Sequence, residues 1–339
     1  MISQLVQAPG RVNLIGDHTD YTGGLVLPMA IDRWTQIRYT AHDHIELSSA
    51  DEDDSVHLPL VVDDPSAIMP SWGRYVAGVV AELRPTVGIR GRVSTDIPIG
   101  AGLSSSAALE VAVALALGAD MPPVELAQLC RRAEHRASGV PSGIMDQLSI
   151  AASVAGHALM IDCHDLTLEP VRVPDAVQIV VLFVAHRTLV GSPYADRVAD
   201  CAAAEREIGP LRSATLDDVA TIRDRVVRAR ARHVVSENER VRQFVAALRA
   251  GDLHGAGQLM IEGHNSLRDS FDTSTPVMDQ AVAAMNAQPG VYGARMTGGG
   301  FGGCLVAMVR PGTPVDGWVV TPVDGARVVH TDSENRPKE

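Results

Sequence analysis

Ala8-Pro-Gly-Arg-Val-Asn-Leu-Ile-Gly-Asp-His-Thr-Asp-Tyr-Thr-Gly-Gly24 is the most informative stretch of the chain. It sets Arg11, Asp17, His18 and Asp20 within ten residues, punctuated by Gly10, Gly16, Gly23 and Gly24. Charges this dense between glycines do not build a core. They suit a loop that wraps a polyhydroxylated ligand, whose hydroxyls each need a fixed donor or acceptor.

The surrounding chain of 339 residues is long enough for one large or two ordinary domains. At 46% hydrophobic and 21% charged it has a globular composition. A net charge of -12 argues against nucleic acid or an anionic membrane as partner. The opening residues have no basic region followed by an apolar run, and no apolar stretch is long enough to span a bilayer, so a cytoplasmic setting is expected. Cys130, Cys163, Cys201 and Cys304 fit no zinc spacing and read as free thiols in a reducing compartment. Lys338, in a polar tail, is the only lysine. That excludes a Walker A loop and a protein-kinase strand lysine, so any bound phosphate must be held by arginine, backbone amides and a metal.

Short alternating runs over residues 25–48 and 89–97 predict strands. The acidic stretch at 51–54 reads as a solvated turn. Helical spacing marks residues 72–83, 104–117, 123–137, 196–208, 217–231, 237–249 and 276–286. Helix 104–117 is apolar nearly all round, hence buried, with the serines suited to its N-cap. Cys304-Leu-Val-Ala-Met-Val309 reads as a buried strand. The mixture is α+β without regular βαβ alternation.

Three further segments carry chemistry. Pro98-Ile-Gly-Ala-Gly-Leu-Ser-Ser-Ser-Ala-Ala-Leu109 runs from a Gly/Ser turn straight into a helix, whose unpaired amides and dipole can hold phosphate. On its residues alone such a turn is more often structural. Glu134 borders the apolar stripe Leu126, Cys130, Ala133, Ala137 and needs a partner. A salt bridge to Arg131, Arg132 or another arginine and a functional role stay open. Thr297-Gly-Gly-Gly-Phe-Gly-Gly-Cys304 leads into a strand-like run, which speaks against a dinucleotide loop.

The opening stretch closely resembles the first motif of galactokinases, Gly-Arg-x-Asn-Leu-Ile-Gly-Glu-His-Thr-Asp-Tyr, except that Asp17 replaces the usual Glu. Residues 98–109 resemble the phosphate loop of the GHMP small-molecule kinase superfamily, and residues 296–304 resemble the third galactokinase motif. Arg-Ala-Glu134-His135 followed by Gly143-Ile-Met-Asp146-Gln, and the segments around Tyr194, Glu237 and His264, extend the match over nearly the whole chain.

The resemblance implies a two-domain GHMP kinase fold with the active site in the interdomain cleft. The division expected is 1–155 and 156–339. Asp146 would be the catalytic carboxylate, with Arg11 keeping it ionised. Asp17, His18, Thr19, Asp20 and Tyr194 would bind the sugar. Gly100, Ala101, Gly102, Leu103, Ser104, Ser105 and Ser106 would wrap the ATP phosphates, Trp72 would pack on adenine, and Ser106 with Glu134 would ligate Mg2+. The implied reaction is ATP plus α-D-galactose giving the 1-phosphate and ADP, without an obligate protein partner. A kinase for an N-acetylhexosamine or a pentose, or a non-catalytic galactose and ATP sensor, are the alternatives. The shorter Asp17 would relax discrimination at one sugar hydroxyl.

Overall fold

The computed structural model describes residues 3–187 and 191–329; Lys338 and its tail lie outside them. Thirteen strands form among the described residues. They are β1 (Gln4–Asn13), β2 (Leu25–Val26), β3 (Pro28–His42), β4 (Ile45–Ser49), β5 (Val56–Leu58), β6 (Gly88–Thr95), β7 (His157–Asp162), β8 (Thr167–Arg172), β9 (Gln178–Ala185), β10 (Val291–Met296), β11 (Gly303–Val309), β12 (Trp318–Val320) and β13 (Arg327–Val329). The helices are α1 (Gly73–Leu83), α2 (Ser105–Ala116), α3 (Pro123–Ser138), α4 (Met145–Ala152), α5 (Tyr194–Ile208), α6 (Leu216–Thr221), α7 (Arg225–Ala250), α8 (Leu253–Ser266) and α9 (Pro276–Asn286).

One sheet runs β13-β1-β3-β6-β4-β5, a second β10-β11-β9-β12, and a third β2-β7-β8. Alternation along β1 and β3 turns Val6, Ala8, Ile31 and Ile37 inward, fully buried. Against that face lies α2, which also packs on α1 and α3 and is apolar nearly all round because it has neighbours on every side. A second core gathers β9, β10 and β11 with α5, α9 and the first half of α7. The sheets interleave across residue 155: β2 pairs with β7, and β13 returns to pair with β1.

Two of the expected helices differ. Residues 217–231 and 237–249 are covered by the short α6 and one continuous α7 of 26 residues. Asp224 caps α7 by accepting from the amides of Val226 and Val227, residues 232–236 hold no glycine or proline to break it, and Gly251 ends it in the left-handed region. Helix α8 has a weak sequence signal because Gly255, Gly257 and Gly263 interrupt its pattern. Ser104 stands at the N-cap of α2, but its side chain makes no capping bond.

Helices α1 and α3 approach most closely at Gly78, where a Cβ would stand 2.5 Å from the carbonyl oxygen of Ala133. In a free helix Gly→Ala stabilises by up to about 1 kcal/mol. Here Gly78→Ala should instead destabilise by about 1–3 kcal/mol, because the helices must part. Urea denaturation checks the sign: a lower midpoint at unchanged slope is the expected result.

Candidate active site

Strand β1 shifts register between Pro9 and Gly10. Beyond that shift the Arg11 amide bonds to the Leu103 carbonyl, pinning the strand to the Gly/Ser loop. The Arg11 side chain is 2% exposed. Its Nη1 donates to the Gly102 carbonyl at 2.7 Å, and its Nε donates to Asp146 Oδ1 at 2.8 Å. Nη2 lies 2.6 Å from that same oxygen. Ser104 Oγ donates to Asp146 Oδ2 at 2.5 Å. This bond takes the hydroxyl that would otherwise cap α2, so the helix start keeps its amides free toward the cleft. Asp146, in the first turn of α4, remains 31% exposed and reachable.

Beside this clamp, Ser106 Oγ donates to Glu134 Oε1 at 3.3 Å. Glu134 Oε2 accepts from Ser142 Oγ at 2.8 Å and from Gln147 Nε2 at 2.9 Å. No cation pairs with Glu134 among the described residues, so the salt-bridge alternative is removed. Burial, with the negative charge of Asp146 adding to it, raises the Glu134 pKa. Gln147 also donates to Glu110, a fully buried carboxyl that burial holds well above its ordinary pKa. A carboxylate lacking a counter-charge beside a hydroxyl is a donor set for a hard divalent cation.

Residues 14–20 form the opposite wall. His18 is buried, and burial, followed by the neighbouring His233, Arg187 and Arg197, holds its pKa well below the ordinary imidazole value. Its Nδ1 lies 3.1 Å from the Tyr21 hydroxyl, while the buried Nε2 has no protein partner, and the residue lines the cleft. Tyr194, the first residue of α5, stands with its ring 5.6 Å from that of His18. Asp20 lies on the same wall; burial, and then the charge of Asp146, push its pKa up to about 6. The common cleft of about 580 Å³ is lined by Arg11, Asp17, His18, Asp20, Trp72, Gly100, Gly102, Ser104, Ser105, Ser106, Glu134, Asp146 and Tyr194. Trp72 is fixed there by an indole donation to the Asp54 carbonyl.

Four of the expected site residues turn their side chains toward partners within the protein. The Thr19 hydroxyl turns away from the cleft and donates to the carbonyls of Gly16 and Leu25, so Thr19 shapes the loop without facing a ligand. The side chains of Ala101 and Leu103 pack in the core, while Ile99, Gly100, Gly102 and Ser104 to Ser106 line the cleft. Asp17 does reach the wall, but its carboxylate is engaged within the protein. Oδ2 pairs with Arg295 Nη2 at 2.7 Å, and Oδ1 accepts from the Gly298 amide at 2.9 Å.

Arg187 and Arg295 escaped the sequence reading. Arg187, just past β9, lies within the cleft, and its pKa is lowered to about 10 by burial and then by Arg11. One arginine after an apolar run is too weak a signal to find it. Arg295 is fully buried between Asp17 and Glu237, and Glu237 also accepts from the Gly16 amide at 3.0 Å and pairs with Arg240 at 2.7 Å. Its place shortly before the glycine-rich run that follows Thr297, in an otherwise apolar strand, was the available clue. The run itself leads into β11, not a helix, and Thr297 bonds both ways with the Asn13 backbone.

Family models match three segments of the chain: the galactokinase galactose-binding signature over residues 3–40, the GHMP kinases N-terminal domain over 74–157 and the GHMP kinases C-terminal domain over 244–316. Galactokinase of Homo sapiens is 42% identical over 326 residues, covering 90% of this chain and 83% of that protein. Galactokinase of Chloroflexus aggregans is 42% identical, covering 95% and 88%. The crystal structure of Lactococcus lactis galactokinase complexed with galactose superposes with a TM-score of 0.89 at 30% identity, covering 96% and 95%. Mevalonate kinase of Methanococcus jannaschii shares the fold, with a TM-score of 0.68 at 21% identity over 91% of each chain. Fold and cleft together define a GHMP kinase, an ATP-dependent enzyme acting on a small molecule. Within that superfamily the chain belongs to the galactokinase family.

Two outcomes are expected. Arg295→Met leaves Asp17 and Glu237 without their shared buried partner and should cost about 3–5 kcal/mol in chemical denaturation. Asp20 should show the reverse sign. Its folded pKa lies above the unfolded value, so its contribution is fully present below about pH 4 and is lost as pH rises through about 6. Asp20→Asn should therefore gain thermal stability over the parent as pH rises through that window, with the gap closing in acid.

Proposed function

We propose that the cleft transfers the γ-phosphoryl group of ATP to the anomeric hydroxyl of α-D-galactose, with Asp146 as proton acceptor. The observation that carries this reading is the Arg11–Asp146–Ser104 cluster. It stands where the Gly/Ser loop meets the wall formed by residues 14–20. The free amides at the start of α2 suit the phosphates. Asp146 is held in one orientation by Arg11 and Ser104 and is open enough to receive a hydroxyl.

The sugar hydroxyl attacks the γ-phosphorus, the bond to the bridging oxygen of ADP breaks, and the hydroxyl proton passes to the Asp146 carboxylate. Arg11 and Arg187 offset the charge spread over the moving phosphoryl oxygens. His18 Nε2 and Asp20 offer hydrogen bonds to sugar hydroxyls, and Tyr194 closes the same wall. Trp72 offers its ring to the adenine. Ser106 and Glu134 would hold Mg2+, which when bound neutralises charge on the β- and γ-phosphates. Their oxygen-only chemistry and the lack of a cation on Glu134 support that fit. The Asp17 carboxylate, drawn onto Arg295 and Gly298, supports relaxed discrimination at the hydroxyl that a longer Glu would reach.

The partners in this reading are the sugar and ATP. All four cysteines are free, which suits a reducing cytoplasm.

Asp146→Asn keeps the shape and loses the proton acceptor. Turnover in a coupled ADP-release assay should fall by about 10²–10⁴-fold with galactose binding largely kept. Phosphorus NMR should show a sugar 1-phosphate from the parent enzyme. Phosphate on another hydroxyl would overturn the regiochemistry, and near-normal turnover in the variant would remove Asp146 as the base. Turnover on an N-acetylhexosamine or a pentose in preference to galactose would point to the other sugar kinases. Absence of turnover on any sugar, with ATP still bound, would point to a sensor.

A further inference from the structure

A second cluster of donors lies at the far end of the N-terminal sheet, and none of its residues lines the cleft. Strands β3 and β4 flank β6 on opposite sides. Asp43 and His44 therefore carry the chain over the end of β6. Crossing two strand spacings takes about 9.6 Å. Three extended Cα steps reach about 10 Å, so the strap has almost no slack. It passes directly over Gly88, where a Cβ would stand 2.3 Å from the His44 carbonyl oxygen. The backbone of the strap is thus fixed, and its side chains are presented from fixed points.

Those side chains are His42, Asp43, His44 and, one residue into β4, Glu46. One donor atom from each of His42, His44 and Glu46 lies within 4.8 Å of the others. The two imidazoles meet edge to face at 4.2 Å. Asp43 Oδ1 sits between them, 2.5 Å from His42 Nδ1 and 2.7 Å from His44 Nδ1. Held through Nδ1, His44 turns its Nε2 toward Glu46, 3.8 Å away. Glu46 currently accepts from Arg90 Nε at 2.8 Å. All of these side chains are at least partly exposed, so they can adjust.

We propose that His42, His44 and Glu46 bind a borderline transition-metal cation of the Zn2+ class, which fastens β3 to β4 across the end of β6. Two imidazole nitrogens and one carboxylate oxygen are the donor set of such an ion, with the remaining position left to water. Mg2+ prefers oxygen donors and is discriminated against here. Ligand distances of about 2.0–2.2 Å require the donors to close by roughly an ångström, which side-chain rotation supplies. Asp43 holds His44 through Nδ1 and leaves its Nε2 to the ion, as carboxylates do for ligating histidines. Arg90 competes for the Glu46 oxygen. Because the donors converge only once β3, β6 and β4 have paired, the ion would stabilise the folded chain.

The test uses the full chain, stripped with a chelator and titrated with Zn2+ against a chromophoric chelator in excess Mg2+. The parent should bind one equivalent at this site, with a zinc-dependent rise in melting temperature. His44→Gln should weaken binding at least about tenfold, as loss of a ligand-set residue does. Co2+ should report the same site through visible absorption bands that His44→Gln abolishes. Arg90→Ala removes the competitor and should tighten Zn2+ binding about two- to fivefold, the worth of an exposed ion pair. This second variant carries the test even if His44→Gln folds poorly. Equal Zn2+ affinity in the parent and His44→Gln, or no tightening in Arg90→Ala, overturns the assignment.

Discussion

Arg295 carries a full charge at zero exposure, and the placement of the cleft depends on it. Removing a guanidinium from water costs several kcal/mol, and so does burying each of its carboxylate partners. The cost is offset because Arg295 and Arg240 face Asp17 and Glu237, two charges of each sign with short contacts. Burial and these cations act in opposition on Glu237, and the cations prevail, holding its pKa far below the usual range. The network joins β10 and α7 to the loop that carries His18 and Asp20. The middle of α7 adds Asn238, which accepts from the Leu25 amide, and His233, which bonds the Asp17 carbonyl. The loop is thereby tied to β10 and α7 by bonds to both its side chains and its backbone.

The charges of the cleft compete with one another. Asp146, Asp20, Glu134 and the buried Glu110 stand near each other, and burial first, then a neighbouring carboxylate, raises the pKa of Asp20, Glu110 and Glu134. Arg11 and Arg187 stand among them, and burial, followed by the charge of Arg11, lowers the pKa of Arg187. Such an arrangement is poorly balanced for the protein alone. In the proposed reaction phosphate oxygens would meet the arginines and a divalent cation the carboxylates, which would balance the charge. The start of α2 belongs to the same pattern: the Ser104 hydroxyl donates to Asp146 and does not cap the helix.

The sequence by itself determined part of the local elements and the chemical repertoire. Alternation located β3, β4 and β6, apolar residues on every face marked α2 as buried, and glycine with clustered charge marked residues 8–24 as a ligand loop. The missing core lysine excluded other ways of holding phosphate. These are properties of spacing along the chain, and short-range physics decides them. Where reading stopped, a long-range partner was the deciding term. Glu134 could have met an arginine or served a ligand until α4 brought Gln147 to it. Thr19 looked like a sugar contact, yet its hydroxyl is satisfied by carbonyls three residues before it and six after it once the loop closes. Asp17 looked free because its partner, Arg295, lies 278 residues away. The break expected within α7 does not occur, because that stretch is where His233, Glu237 and Asn238 dock the ligand loop. Which polar groups face the cleft and which satisfy one another is set by contacts between distant strands and helices, and only the tertiary structure decides it.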